Sequence, residues 1–414
     1  MALEKVDLVT PSGGGSTSKL VTGSFFQWPL DTSAEKSLAK NVPVPISEWY
    51  GFKVKVETSG KENLIGASLG DLEALAVELA EPRFRARQIY ANLYRRRLGD
   101  WALFTDLAKP LREELGQRFA IYYPEAIQVF QSSDGTRRYL FEVAGGHRFE
   151  SVFIPEEKRD TFCISTQVGC AVECLFCVTG KLPMRGNLSA AEIVGQLLAL
   201  QQDRGTDSKR LNIVIMGMGE PLLNYDNVMK ALRLMTDPLG MSISPRRITL
   251  STSGIVPGLE RLAHEDLIPN LAISLNATTD EVRDKLIPIN RKWNIAALLE
   301  ACRKFPLEPR QRITFEYVLI QEVNDTPEDA LRLVQLLKGL KKKVNLIPLN
   351  ADPWVALKTP SEERVLAFQK ILLEHHLTAY IRRPRGNDVS AACGMLAGRN
   401  QPTGNDAPPP HLTP

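Results

Sequence analysis

The six cysteines are spread unevenly along the 414 residues: Cys163, Cys170, Cys174 and Cys177 fall within fifteen positions, while Cys302 and Cys393 stand alone. Six are too few for a disulfide-built scaffold of this length, and such crowding points to metal or redox chemistry. The spacing Cys170-x-x-x-Cys174-x-x-Cys177 offers three thiolates on one loop. A structural zinc site closes with four protein ligands, often as two CxxC pairs, and no histidine lies near this loop in sequence. Three thiolates on an iron–sulfur cube instead leave one iron without a protein ligand, open to a chelating small molecule. A zinc site, an electron-transferring cluster and a catalytic cluster all stand as candidates on spacing alone. Cys163, seven residues before Cys170, lies outside cluster spacing and reads either as a strand-buried thiol or as a thiol with its own task. Cys302, in the helical run Leu298-Leu299-Glu300-Ala301-Cys302, reads as core.

The elements that must carry these thiols follow a regular rhythm. After Thr161, short β-branched runs at 162–166, 212–216, 247–251, 271–275, 313–319, 344–348 and 378–382 alternate with amphipathic helical segments. Those segments include 189–203, 226–235, 294–304, 326–338 and 361–375. Repeated β-then-α units imply an α/β fold with a parallel sheet, and six or more favour a full or partial barrel. Catalytic groups in such a barrel gather at the carboxyl ends of the strands. The polar or glycine-rich motifs do follow the strands: Gly217-Met218-Gly219-Glu220-Pro221, Ser251-Thr252-Ser253-Gly254, Ser274-Leu275-Asn276, Asn350, and Arg385-Gly386 before Cys393. A lone cysteine beyond the final strand sits where barrel catalysis occurs.

Upstream, leucines at 72, 75 and 79 with Ala76 predict a helix, a second carries Ile89, Leu93 and Leu98, and a third begins across Leu107 to Leu115. Six arginines and no acid lie between Arg83 and Arg97, interleaved with Phe84, Tyr90 and Tyr94. That composition suits phosphate contacts with base stacking, or else is a solvated helix face. Residues 126–154 alternate apolar and polar around Asp134-Gly135 and Gly145-Gly146, as β-hairpins do. The expected domains are a flexible extension over 1–65, which contains Phe25, Phe26 and Trp28, a helical RNA-binding accessory domain over 66–125, and a hairpin connector over 126–155. The barrel is expected over 156–398 and a disordered Pro-rich tail over 399–414.

With 51 Lys+Arg against 48 Asp+Glu the net charge is +3, so nucleic-acid contacts must come from local basic patches rather than bulk charge. No run reaches the roughly 18 apolar residues of a membrane helix, and Met1 to Thr10 mixes charges of both signs, unlike a secretory signal. A cytoplasmic protein is expected.

The motif CxxxCxxC with Phe176 before its last cysteine resembles the signature of radical S-adenosylmethionine (SAM) enzymes. From about Asp71 to Gly398 the chain resembles more closely the RlmN family of dual-specificity RNA adenine C2-methyltransferases, with the Cfr C8-methyltransferases as nearest cousins. The segments that carry the match are Glu150-Ser-Val-Phe-Ile-Pro, Cys163-Ile-Ser-Thr-Gln-Val-Gly-Cys170, the cluster loop, and Gly217-Met-Gly-Glu-Pro-Leu-Leu-Asn224. They continue with Leu250-Ser-Thr-Ser-Gly, Leu286-Ile-Pro-Ile-Asn290, Asn345-Leu-Ile-Pro, and Arg385-Gly-Asn-Asp-Val-Ser-Ala-Ala-Cys-Gly394.

The resemblance implies a radical SAM partial (β/α)6-type barrel with a small N-terminal helical domain. It implies a 4Fe-4S cluster on Cys170, Cys174 and Cys177, and two SAM molecules per turnover. One methylates Cys393, and the other yields the radical that activates that methyl for addition to adenine C2. The adduct is covalent. Glu150 is then implied as the base that takes the C2 proton, and Cys163 as the thiol that attacks the Cys393 sulfur, leaving a disulfide. SAM contacts are implied at Gly219, Glu220, Ser251, Ser274, Leu275, Asn276 and Asn350. The family commonly has His where this chain has Asn276, which keeps hydrogen-bonding capacity but cannot become cationic. Implied partners are 23S rRNA at the peptidyl-transferase centre, tRNA beside the anticodon, and a reduced flavodoxin-type electron donor, with no membrane and a monomeric enzyme. Arg382, Arg383 and Arg385 suit phosphate positioning. Two alternatives stand beside this reading: C8 methylation of the same adenosine, and a noncatalytic iron–sulfur RNA-binding protein.

Overall fold

A computed structural model describes residues 60–143, 145–205 and 210–398. The expectations for Phe25, Phe26 and Trp28, for the rest of the extension before Gly60, and for the tail after Gly398 lie outside the described residues.

A short strand, β1 (Glu62–Asn63), precedes helix α1 (Leu69–Glu78), which starts at Ser68 with a reciprocal cap to Asp71 and buries Leu72, Leu75 and Ala76. Helix α2 (Phe84–Tyr90) passes into a π-turn over Ala91–Arg95, so the helix predicted through Leu98 ends earlier, with the Leu98 amide donating to Asn92. The π-turn packs Tyr90 against Tyr94 at 4.7 Å, both almost fully buried. The Tyr94 hydroxyl accepts from the Gly66 amide at 2.9 Å and donates to the Ala67 carbonyl at 2.8 Å. The base-stacking role expected of these two tyrosines is thus corrected: they are core, and only Phe84 of the three aromatics is exposed. Helix α3 (Lys109–Arg118) and strand β2 (Phe119–Ala120), which pairs with β1, complete this part.

Strands β3 (Ala126–Gln131), β4 (Arg137–Val143) and β5 (His147–Pro155) form an antiparallel meander. Strand β5 pairs antiparallel with β6 (Arg159–Cys163), so the meander and the main sheet are one continuous sheet. A small ribbon of β7 (Gln167–Val168) and β8 (Gly186–Asn187) brackets the cluster loop. Then follow α4 (Ala190–Arg204), β9 (Arg210–Ile215), α5 (Tyr225–Thr236), β10 (Ile248–Thr252), α6 (Val256–Leu262), β11 (Asn270–Ser274), α7 (Asp280–Leu286) and α8 (Ile295–Lys304). The chain continues through β12 (Ile313–Leu319), α9 (Pro327–Leu336), β13 (Lys342–Pro348), α10 (Glu362–Glu374) and β14 (Ala379–Ile381). Helices α6 and α7 were not predicted; at seven residues each they show too few turns for a periodic pattern to emerge.

Strands β6, β9, β10, β11, β12, β13 and β14 are neighbours in chain order and all parallel, and β14 is an edge. Winding in one direction with one edge unpaired gives an open barrel, the expected partial α/β barrel. Along β12, Ile313, Phe315, Tyr317 and Leu319 are fully buried against the helices, Tyr317 stacking on Phe368 of α10. The alternate residues Thr314, Glu316 and Val318 face the lumen, as the period of two requires. No helix among the described residues is long and apolar enough to cross a membrane.

Candidate active site at the carboxyl ends of the strands

The carboxyl ends of the parallel strands surround a cleft of about 1090 Å³, its open mouth included. Cys170, Cys174, Cys177 and Cys393 all line it, with Gly219, Glu220, Ser251, Ser274, Asn276 and Asn350. Of the thirteen sequence-predicted site residues, only Cys163, Glu150 and Leu275 do not.

The β7–β8 ribbon aims the cysteine loop inward. Gly169 sits at φ +82°, and a Cβ there would fall 2.4 Å from the Pro183 carbonyl oxygen, so only glycine allows the ribbon to close this tightly. The Leu175 amide donates to Leu286 at 2.9 Å, and the Val178 amide to Gly394 at 2.7 Å, which fastens the loop directly to the segment carrying Cys393. Val172, Leu286, Ile287, Ile320 and Leu349 form an apolar collar in which Cys170, Cys174 and Phe176 pack. Burial pushes the Cys170 thiol up to about 12 and that of Cys174 well above its ordinary value, and proximity of the thiols to one another adds to this. All six cysteines are free, so no disulfide joins Cys163 to Cys393.

Among the described residues no three His, Cys, Asp or Glu side chains converge on a single metal ion. The three thiols all line the cleft from one short loop, which suits an extended cluster with several metal corners. Three soft sulfur donors on one loop, two of them packed in an apolar collar, fit an iron–sulfur cube.

Glu220 follows β9 on a turn that Gly219 makes possible. Gly219 has φ +100°, and a Cβ there would stand 2.5 Å from Cβ of Gln167, whose side chain accepts from the Glu220 amide at 2.8 Å. The Glu220 carboxylate is 4% exposed and accepts from the Ser253 amide at 2.7 Å, the Ser253 hydroxyl at 2.8 Å and the Leu222 amide at 3.1 Å. Burial raises its pKa, and these hydrogen bonds pull it part of the way back. Held at the rim of the cleft with its acceptor orbitals directed, it can bind an ammonium group.

Sequence reasoning missed Arg283 of α7, which is fully buried and donates to the carbonyls of Ser253, Ser274 and Leu275 at 2.7, 3.0 and 3.0 Å and to Asn290 at 2.8 Å. It ties the ends of β10 and β11 together, and burial lowers its pKa to about 10. Only its fold-wide bonding reveals it, since a single arginine on a short helix carries no spacing signal.

Leu275 is fully buried in the core, so any part it plays at the cleft must be played by its backbone, whose amide and carbonyl are already bonded to Glu316 and Arg283. Asn276 adopts φ +56°, a conformation asparagine tolerates well. Its side-chain oxygen accepts from the Val318 amide at 2.8 Å and its carbonyl from Asn324 at 2.7 Å, so the residue pins β11 to β12. Asn350 donates to the Cys393 carbonyl at 3.0 Å, which makes it a support of that loop as well as a wall of the cleft.

Cys393 is exposed to the cleft, and Cys163 is half-buried at the end of β6. Burial raises both thiols, Cys163 to about 12, with mutual proximity contributing to that of Cys163 and Arg382 lowering both. Glu316 and Arg382 also line the cleft and went unnoticed there in sequence, the arginine being read as a phosphate contact alone.

Glu150 requires a correction of place. It lies in the middle of β5, not at a hairpin end, and is fully buried as an ion-pair partner of Arg138, with the Ala397 amide donating to it at 3.0 Å. In this conformation the carboxylate faces the Cys393 segment from behind. Arg385 is corrected as well: its guanidinium is bonded to Asp134 and to the Pro155 carbonyl, so it fastens the loop rather than offering a free charge.

Comparison with known proteins agrees with this architecture. The model of the radical SAM superfamily matches residues 164–334, and that of the ribosomal RNA large subunit methyltransferase N-terminal domain matches residues 62–121. The dual-specificity RNA methyltransferase RlmN of Geobacter sulfurreducens is 50% identical over 336 residues, which is 81% of this chain and 91% of that protein. The protein of the same name from Syntrophobacter fumaroxidans is 46% identical over 329 residues, 80% of this chain and 96% of its own length. A crystal structure of a radical SAM methyltransferase from Sphaerobacter thermophilus superposes with a TM-score of 0.78 at 42% identity, covering 82% of this chain and all of that one.

Proposed function

Since the chain belongs to the RlmN family of dual-specificity RNA methyltransferases, with a 4Fe-4S cluster and SAM as its cofactors, we propose that it methylates C2 of adenosine through a methyl group carried on Cys393. Its RNA substrates are 23S rRNA at the peptidyl-transferase centre and tRNA beside the anticodon, and its electron donor is of the reduced flavodoxin type. The enzyme acts as a cytoplasmic monomer. The observation that carries the reading is the meeting, in one cleft, of three cluster thiols, the Glu220 turn and the exposed Cys393.

Cys170, Cys174 and Cys177 hold the cluster, and Glu220, Ser251, Ser274, Asn276 and Asn350 line the place for SAM. Bound there, the cluster and SAM would supply one-electron radical chemistry. Cys393, on the segment fastened to the cluster loop, accepts a methyl group on sulfur and later presents it to the base. Aromatic C2–H is not nucleophilic, so a carbon tethered to the protein and delivered as a radical answers the chemical difficulty.

Two residues then release the product. Glu150, which in this conformation is paired with Arg138 and accepts from the Ala397 amide behind the Cys393 segment, is the base assigned to the C2 proton. Cys163, whose thiol is raised by the neighbouring Cys393, attacks the Cys393 sulfur and breaks its bond to the methylene carbon, which keeps the electron pair and takes up a proton to become the RNA methyl group; the Cys163–Cys393 disulfide left behind is reopened by a reductant. The test is RNA deuterated at adenine C2 or at C8, methylated by the purified enzyme. Loss of the C2 label supports the proposal, and loss of the C8 label assigns the chain the other regiochemistry.

A further inference from the structure

We infer that the lumen-facing wall of β12, β13 and β14 is the surface along which the RNA strand flanking the reacting adenosine lies, with the Tyr380 ring as a stacking platform for one of its bases. The inference rests on the RNA methyltransferase reading of the adjoining cleft and adds a binding element to it.

Orientation comes from the register. Side chains of directly opposed residues in paired strands project to the same face. Asn345 is opposed to Glu316 on one side and to Tyr380 on the other. Asn345 donates to the Glu316 carboxylate at 2.9 Å, and Glu316 lines the cleft, so this row faces the lumen. Tyr380 therefore faces the lumen too, while its neighbour Ala379 is buried toward the helices. Two residues on, about 7 Å along the strand, Arg382 lines the cleft itself.

Barrel interiors are normally filled with side chains. Tyr380 is nevertheless 55% exposed, because β14 is an edge and the lumen opens sideways past it. An aromatic ring held by a rigid strand two residues before a cleft-lining arginine, and left uncovered, is placed to receive a flat partner.

The charges select what that partner is. Lys343 lies two residues before Asn345 on the same face, and neither it nor Arg382 has an ion-pair partner among the described residues. Glu316 is the single acid on these three strands and is engaged by Asn345. Two cations flanking an exposed ring match a single-stranded nucleic acid, whose phosphates meet the cations while a base meets the ring. Tyr90 and Tyr94 of the arginine-rich stretch are buried and offer no such platform.

The test uses the holoenzyme and a short RNA hairpin bearing the target adenosine, with 2-aminopurine replacing one or the other flanking nucleotide. Wild type and Tyr380→Phe should quench one of the two probes on binding. Tyr380→Ala should lose that quenching and raise KM for the RNA on the order of tenfold, with a much smaller change in kcat. Lys343→Gln should keep the quenching and lower the slope of log affinity against log salt by about 0.7. Equal quenching and equal KM in wild type and Tyr380→Ala overturn the platform while leaving the methyltransferase reading intact. A wild-type enzyme that neither binds the hairpin nor methylates it removes that reading, and the platform with it.

Discussion

Arg138 and Glu150 form a fully buried ion pair, and each also grips the segment that carries Cys393: Arg138 Nε donates to the Val389 carbonyl at 2.6 Å, and Glu150 Oε2 accepts from the Ala397 amide at 3.0 Å. The pair joins the antiparallel end of the sheet to the catalytic loop. Breaking it from one side strands a charge in the core. Arg138→Met is therefore expected to cost about 3–5 kcal/mol in stability, and the double variant with Glu150→Gln to recover part of that loss. Chemical denaturation of the single and double variants measures it; simple additivity of the two losses would show that the pair is not coupled.

A second attachment of the same loop is sensitive to acid. Burial acts to raise the Asp134 carboxyl, but hydrogen bonds from Thr136, Gly386 and Ser132 outweigh it and hold the group below the usual carboxylate range. A folded-state pKa lowered in this way contributes stability above the unfolded value of about 4 and loses it as pH falls. Hydrogen exchange at residues 385–391 should accelerate, beyond its intrinsic pH trend, as pH drops below about 4. In Asp134→Asn that extra acceleration should be absent; an identical profile in both proteins contradicts the assignment.

The barrel was legible from the sequence because each of its parallel strands is a short β-branched run set off by an amphipathic helix. The cleft was legible because its thiols, its Gly-Glu turn and Cys393 all follow strand ends. What escaped depended on long-range pairing. Nothing local shows that β5 would join β6, which places Glu150 in mid-sheet, or that Arg138 would answer it. Arg385 looked free until the Asp134 turn, about 250 residues earlier in the chain, was brought beside it. The π-turn buried two tyrosines of a stretch that holds six arginines and no acid, a case of tertiary packing deciding which side of a basic helix is wet.

The proposed function assigns the ammonium of SAM to the Glu220 carboxylate, which lines the cleft. Glu220→Gln keeps the shape and part of the hydrogen bonding but removes the charge, so SAM should bind about tenfold or more weakly. Equilibrium dialysis against the reconstituted protein reads this directly. Unchanged affinity would move the ammonium elsewhere in the cleft.

Gly219→Ala addresses the turn rather than the charge. At φ +100° with a would-be Cβ 2.5 Å from Gln167, alanine strains the backbone and clashes with the ribbon beside the cluster loop. The expected result is a protein destabilised by about 1–3 kcal/mol that loses SAM binding even though Glu220 is intact. Wild-type affinity and melting temperature in this variant would show that the turn is less constrained than its geometry indicates.

The most direct measurement of the whole account concerns Cys393. Wild-type protein and Cys393→Ala, each produced in cells lacking their own enzyme of this family, are compared by peptide mass spectrometry and by analysis of cellular rRNA and tRNA. The account predicts a methyl group on the Cys393 peptide of the wild type, and C2-methyladenosine present with the wild type and absent with the variant. C2-methyladenosine at wild-type levels with Cys393→Ala would contradict it, because the methyl would then reach the base without passing through this sulfur.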